Sequence, residues 1–321
     1  MSEAFERAVE VIGDADELVL ACHIGPDGDA LGSMLGFGMA ASRAGKRVVA
    51  SFGTPFVVPD TYRFLELDLL VPPAQVPEEP AVFVCFDAGS ADRLGELAAV
   101  ASRAGTVVVI DHHVTNEGFG DVNLIDPEAA ATAEIVIRLL ERLGWEVDQP
   151  MATALLAGLV TDTGRFQYSN TTPETLRAAA RMIEAGARPE VIGQHVYEET
   201  PFGYLRAAGA VLGRAQLDPD RRLVWSILTK EDLAESGISH GDTDPLIDSV
   251  RTAIESDVAL LVKEMEGGRV KGSLRSRGRV DVGALAVELG GGGHHNAAGF
   301  TMEGTAEEAV EAVRSRLEPV E

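Results

Sequence analysis

Four uninterrupted apolar runs in the first half of the chain constrain its fold more than any other feature. ELVLACH (17–23), KRVVASF (46–52), AVFVCFD (81–87) and TVVVID (106–111) lack the apolar–polar alternation of a strand with one wet face. A strand that is apolar on both sides must be covered on both sides. That calls for a mostly parallel sheet with helices on each face. ALGSMLGFGMAASRAG (30–45), closed by Gly45, and GELAAVASRAG (95–105) read as covering helices. Helical patterns then follow at 132–144, 151–164 and 172–187, the last with a capping box expected from Thr171 to Glu174. The apolar helix at 151–160 reads as exposed, and it points to a homodimer.

The pattern changes after residue 190. Residues 191–213 read as a linker helix broken at Thr200-Pro201. Beyond them RLVWSILTK is a strand, and DVALLVKEMEGGRVKGSLRSR is a hairpin turning at Gly267-Gly268. DVGALAVELG and TAEEAVEAVRSRL are helices. The fold class is therefore α/β: residues 1–190 form a first domain on the parallel sheet, 191–213 a linker helix, and 214–321 a smaller α+β domain.

Composition narrows the function. A hydrophobic content of 45% over 321 residues suits ordered domains with sizeable cores. The formal charge of −24 argues against binding long nucleic acid, including duplex, through a basic face. It leaves room for a short phosphorylated substrate, because local arginine or metal charge acts at close range. Cys22 and Cys85 belong to no CxxC pair and sit in apolar strands, so both are expected to be buried. The acidic start, MSEAFERAVEVIGDADE, has no basic region leading into an apolar one, and no apolar run reaches the roughly 18 residues of a membrane span. A cytoplasmic location without membrane partners is expected.

The chemistry sits at the strand ends. The first run leads into His23, Asp27 and Asp29, the third ends in Asp87, and the fourth in Asp111-His112-His113. Asp162 closes the apolar run that begins at 151. In a parallel sheet the carboxyl ends of the strands lie along one edge, where ligands bind. One strand-end aspartate commonly caps a helix. Caps do not account for carboxylates and imidazoles at successive strand ends. Such a mixed set suits Mn²⁺ or another borderline divalent ion. Two ions sharing a carboxylate would lower the pKa of a bridging water and clamp phosphoryl oxygens.

A second signal is LGGGGHHNAAGF (289–300). Gly291, Gly292 and Gly293 would let backbone amides approach an anion, with His294 as a further donor, although a glycine run also suits a plain loop. Nearby, SLRSR supplies Arg275 and Arg277, either phosphate-binding forks or solvated surface charges.

In chain order, HIGPDGDA, FDAGSADR, DHH and TDTG resemble the four motifs of the DHH phosphoesterase superfamily, and GGGGHHNAAG is similar to the glycine–histidine motif of the associated DHHA1 domain. The resemblance spans nearly the whole chain and is closest to the compact nanoRNase/pAp phosphatase type. It implies a hydrolase acting on short oligoribonucleotides, pApA-type dinucleotides and 3′-phosphoadenosine 5′-phosphate (pAp). It also implies two Mn²⁺ ions, with Mg²⁺ or Co²⁺ as substitutes. One ion would be held by His23, Asp27 and Asp87, the other by Asp29, Asp87, His112 and Asp162. His113 would act on the phosphate or leaving oxygen, and Asp111 would orient its neighbours. Arg275, His294 and the glycines 291–293 would bind substrate, with Arg277 less well matched and His295 outside the motif's roles.

Other readings stay open at this stage. Some relatives hydrolyse cyclic dinucleotides. A manganese inorganic pyrophosphatase shares the first motifs but lacks the glycine–histidine domain. A larger single-strand exonuclease needs a further nucleic-acid-binding domain, and a nucleotide sensor would have no need of intact ligand positions.

Overall fold

The computed structural model describes residues 3–319; Met1 and Ser2 of the acidic N-terminal stretch, together with Val320 and Glu321, lie outside it. The chain divides between Glu199 and Thr200 into two compact units. The first runs α1 (Glu3–Asp14), β1 (Glu17–Cys22), α2 (Gly28–Arg43), β2 (Arg47–Phe52), β3 (Val82–Phe86), α3 (Leu97–Ala101), β4 (Thr106–Asp111), β5 (Val122–Ile125), α4 (Thr132–Leu143), α5 (Gln149–Asp162), α6 (Pro173–Glu184) and α7 (Pro189–Gly193). Its five strands pair in parallel in the order β2-β1-β3-β4-β5. Strand order reverses between β1 and β3, and it is outside such a switch point that open α/β sheets bind ligands.

Both faces of this sheet are covered, as the unbroken apolar strands demand. Leu18, Leu20, Val84, Phe86, Val108 and Ile110 pack with residues of α2, α4 and α5. Val19, Ala21, Phe83, Cys85, Val107 and Val109 pack on the other side with Leu97 and Val100 of α3. Cys22 and Cys85 are both free and buried. Strand β5 escapes the sequence pattern because it is short and buries only alternate residues, Val122 and Leu124.

Two details of the helices differ from the sequence reading. Met151, Ala152, Ala154 to Leu159 and Val160 are buried, so the helix read as an exposed apolar face is core. It packs against α2 at a separation that only glycine permits: a Cβ on Gly32 would stand 2.3 Å from the Ala154 carbonyl oxygen. The dimer face inferred from this helix is therefore absent. The capping box of α6 runs from Thr172 to Thr175, one residue later than expected, with Pro173 directly after the cap.

The second unit comprises α8 (Phe202–Gly213), β6 (Gln216–Asp218), β7 (Leu223–Leu228), α9 (Lys230–Ser236), α10 (Leu246–Val250), β8 (Val258–Met265), β9 (Arg269–Ser276), α11 (Val282–Glu288), β10 (Gly292–His294), β11 (Ala297–Glu303) and α12 (Ala306–Arg314). Its mixed sheet has the order β10-β11-β9-β8-β7-β6. Leu260, Val262 and Leu274 pack under α11 and α12, whereas Ala259 and Leu261 meet α8 and α10. The β8–β9 hairpin turns at Gly267 and Gly268, whose φ values of 73° and 72° fit a primed turn. The stretch 191–213 is the end of α7, a π-helical turn at Gln194–Glu198, a break, and α8, which belongs to the second unit. Among the described residues no helix is long and apolar enough to cross a membrane.

Candidate functional site

The carboxyl ends of β1, β3 and β4 meet the C-terminus of α5, and their polar residues face one another. His23 Nε2 lies 3.6 Å from Asp87 Oδ2 and 3.8 Å from Asp27 Oδ1. His112 Nε2 lies 3.1 Å from Asp162 Oδ2 and 3.6 Å from Asp87 Oδ1. Among the described residues, three groups have ligand atoms all within 4.8 Å of one another: His23–Asp27–Asp87, Asp29–His112–Asp162 and Asp87–His112–His113. Asp87 stands at the centre. Its φ of 55° is a left-handed conformation that disfavours most side chains, and such strain concentrates at functional sites.

Neighbouring groups hold each donor in place. The Nδ1 atoms of His23 and His112 lie 3.0 and 3.4 Å from the carbonyls of Ile24 and Ala129. A proton on Nδ1 makes that contact a hydrogen bond and leaves the Nε2 lone pair turned to the cluster, as a metal-ligating imidazole requires. Asp29 is fully buried and accepts hydrogen bonds from the N–H groups of Thr132 (2.6 Å) and Ala133 (2.9 Å) and from the Ser33 hydroxyl (3.1 Å). Glycine 158 makes room for it: a Cβ there would stand 2.7 Å from Asp29 Oδ1. Thr132 Oγ1 donates to Asp87 Oδ1 at 2.9 Å. Asp27 is both a donor in the cluster and the N-cap of α2, its Oδ1 accepting from the N–H groups of Asp29 and Ala30.

Asp111 is completely buried and belongs to none of the three groups, but it holds His113, which does. It pairs with His113 Nδ1 at 2.7 Å and accepts from Asn116 Nδ2 at 2.5 Å. Burial alone would lower the His113 imidazole, but the Asp111 hydrogen bond overcomes it and holds the ring above its ordinary pKa.

The electrostatics call for a cation. Burial first, and then Asp87 and Asp162, push the Asp29 carboxyl well above the usual carboxylate range. His23 and His112, which burial alone would lower, are raised to about 10 by hydrogen bonds and charge from Asp27 and Asp87 in one case and Asp162 and Asp29 in the other. A divalent ion satisfies the same demand without protons, and the oxygen–nitrogen donor set fits one. Sequence reasoning missed Thr132, Ser33 and Asn116. Each acts on a residue brought near by folding, and a threonine opening a helical run or an asparagine in a polar turn carries no sign of that.

In the second unit the glycine run is a strand rather than a plain loop. Gly292–His294 pairs antiparallel with β11, and β11 with β9. Register sets Arg275, Ala297 and His294 in one row across three strands, the small Ala297 between the two larger side chains. Gly293 has a φ of 145°, and a Cβ on Gly291 would stand 2.1 Å from the Gly299 carbonyl oxygen. Gly292 has open space where a Cβ would stand. Arg275 Nε lies 3.6 Å from Asp248. Arg277 is occupied otherwise: its Nη2 donates to the carbonyls of Arg251, Thr252 and Ala253, closing the end of α10. His295 turns to Gly278 and Asp281.

Residues 17–159 match the DHH family N-terminal domain and residues 223–319 the DHHA1 domain. The chain is 36% identical over 310 residues to a bifunctional oligoribonuclease and PAP phosphatase of Thermus thermophilus, covering 94% of this chain and 90% of that protein. It is 30% identical to a cyclic-di-AMP phosphodiesterase of Geobacillus thermodenitrificans, over 96% of this chain and 48% of that one. A solved exopolyphosphatase-related protein from Bacteroides fragilis superposes with a TM-score of 0.91 at 27% identity, covering 98% of this chain and 97% of the other. With its DHH unit, its DHHA1 unit and a largely buried aspartate–histidine cluster at the sheet's switch point, the chain belongs to the DHH/DHHA1 phosphoesterase family.

Proposed function

We propose that the chain is a cytoplasmic, metal-dependent hydrolase that cleaves short oligoribonucleotides and dinucleotides and removes a phosphate from pAp. The observation that carries this reading is Asp87, shared by two of the three candidate ligand groups and central to the cluster. The Thermus relative, 36% identical across 94% of the chain, supports the substrate class.

His23, Asp27 and Asp87 would hold one ion, and Asp29, Asp87, His112 and Asp162 the other. Two Mn²⁺ ions would supply an activated water and neutralise the phosphoryl oxygens. Thr132 and Ser33 keep the Asp87 and Asp29 carboxylates aimed. His113 commits Nδ1 to Asp111, so any proton passed to the leaving oxygen comes from Nε2, and its raised pKa keeps that proton available. In the second unit the Arg275–His294 row, with the backbone of glycines 291–293, would grip the substrate's nucleoside.

The identity to the Geobacillus enzyme favours cyclic dinucleotides as a second reading. One panel separates the two: pApA, pAp and cyclic di-AMP at equal concentration, with Mn²⁺ and with chelator. Turnover of pApA and pAp abolished by chelator is expected. Turnover of cyclic di-AMP alone would transfer the reading to the second class. Tight nucleotide binding without any turnover would make the protein a sensor.

A further inference from the structure

The turn after Asp162 keeps its backbone where side chains resist it. Gly164, Arg165 and Phe166 have φ values of 54°, 62° and 62° in succession. Glycine is needed at the first position, because a Cβ there would lie 2.3 Å from the Tyr168 ring. Arg165 and Phe166 carry a Cβ and are strained. Hydrogen bonds hold the turn nonetheless, from Arg165 N–H to the Val160 carbonyl at 2.8 Å and from Phe166 N–H to Thr163 Oγ1 at 2.9 Å. Three consecutive left-handed residues are a costly way to leave a helix.

The turn delivers the Arg165 guanidinium to the face of Tyr197, 4.6 Å from the ring centroid. Arg165 is exposed, and none of the ion pairs among the described residues includes it. Tyr197 lies in the π-helical turn Gln194–Glu198, and its hydroxyl reaches the Val160 carbonyl at 3.4 Å. π-Helical turns are frequent at functional sites. Tyr62 closes the turn Asp60–Tyr62, which packs against that π-helical turn, and burial first, then the charge of Asp27, Tyr197 and Asp162, pushes its hydroxyl up. Tyr62 thus feels both Tyr197, on which Arg165 is stacked, and two aspartates of the cluster, all within the first unit. On a chain of charge −24, an arginine three residues after Asp162 that has no carboxylate partner is a cation held for something else. Stacking uses the face of the guanidinium and leaves its planar N–H edge to donate two parallel hydrogen bonds to two oxygens of a phosphate.

We infer that Arg165 binds a phosphate of the substrate other than the one hydrolysed, and that Tyr197 is its positioning residue. The inference rests on the phosphoesterase reading and deepens it. pApA and pAp each carry two phosphates, so one at the aspartate cluster leaves a second for Arg165.

The test compares KM and kcat for pApA and for bis-p-nitrophenyl phosphate, which has a single phosphate. Arg165→Ala is expected to raise KM for pApA about tenfold to a hundredfold, the loss of a charge-assisted contact, with kcat and the small ester unchanged. Arg165→Lys recovers little, because it lacks the fork and the stacking plane. Tyr197→Phe keeps the ring and behaves as the wild type, whereas Tyr197→Leu follows Arg165→Ala. Arg165→Gly relieves the strain, so its melting temperature is equal or higher while KM rises as in Arg165→Ala. That combination separates binding from folding. A KM for pApA within twofold of the wild type in Arg165→Ala, or a parallel loss on both substrates, overturns the inference while the phosphoesterase reading stands. A wild-type protein that hydrolyses neither substrate overturns both.

Discussion

The chain contains two His-His pairs, and the fold uses them differently. At 112–113 both rings turn into a largely buried cluster, His112 toward Asp87 and Asp162 and His113 toward Asp111. At 294–295 the pair straddles the end of a strand: His294 is the last residue of β10, in the row with Arg275, and His295 enters the turn. The first pair follows a central strand of a parallel sheet, where the chain must leave through the ligand edge and both residues stay within it. The second sits in an exposed two-strand hairpin, where successive side chains alternate between faces. Identical dipeptides therefore meet different surroundings, and burial decides how firmly each is held. Asp29, Asp87 and Asp111 are almost fully buried and hydrogen-bonded to fixed neighbours, whereas the residues of β10 are exposed.

The largest effect is expected where the buried site is broken at its centre. Asp87→Asn keeps shape and removes the charge that two ligand groups share. Turnover should fall about a thousandfold or more on pApA, pAp and the small ester alike, roughly 4 kcal/mol of barrier at 1.4 kcal/mol per factor of ten. In chelator the same variant should melt no lower than the wild type, because like charge is relieved and asparagine tolerates positive φ. Activity within tenfold of the wild type at saturating Mn²⁺ would remove Asp87 from the metal centre.

An intermediate effect is expected where the exposed row is broken. Arg275→Ala should raise KM for pApA about tenfold to a hundredfold, the worth of one hydrogen bond to a charged group. The one-phosphate ester should be hydrolysed as before. The ratio of kcat/KM values for the two substrates within one preparation cancels differences in metal loading. Equal losses would mean that the second unit takes part in the chemical step, and the contrast between the two regions would no longer be one of chemistry against grip.

The same contrast explains what was legible in the sequence. Unbroken apolar strands dictate a two-faced parallel sheet, and that sheet brings His23, Asp87 and Asp111 to one edge. Those residues could be read because topology alone places them. Thr132 could not, since it reaches Asp87 across 45 residues through the packing of α4 against the strand end. The burial of α5 was hidden for a related reason. A helix apolar all round is core when something covers it, and the cover here depends on Gly32 and Gly158 permitting close approach. The cap of α6 was misplaced by one residue although Pro173 at the first helical position marked it. In the second unit the glycine run gave no sign of pairing as β10, because glycine has low strand propensity and its neighbours across the sheet are set by register.

The smallest effect is expected at His295, and it tests the division within the second pair. The His295 ring contacts the Gly278 carbonyl through Nε2 at 3.2 Å and Asp281 through Nδ1 at 3.3 Å. Its side chain is 54% exposed, so water replaces either contact readily. Asp281 retains its main task without the histidine, capping α11 by accepting the Ala284 N–H at 2.9 Å. His295→Ala should therefore leave KM and kcat for pApA within about twofold of the wild type and lower the melting temperature slightly. His294→Ala, one residue away, should raise KM in the same direction as Arg275→Ala, because it removes the other end of the row. The two alanine variants differ by one position and delete the same ring, so unequal effects cannot come from lost surface or composition. A KM increase in His295→Ala as large as that in His294→Ala would mean that the turn reaches the substrate, and the row Arg275–Ala297–His294 would have to be extended around the hairpin.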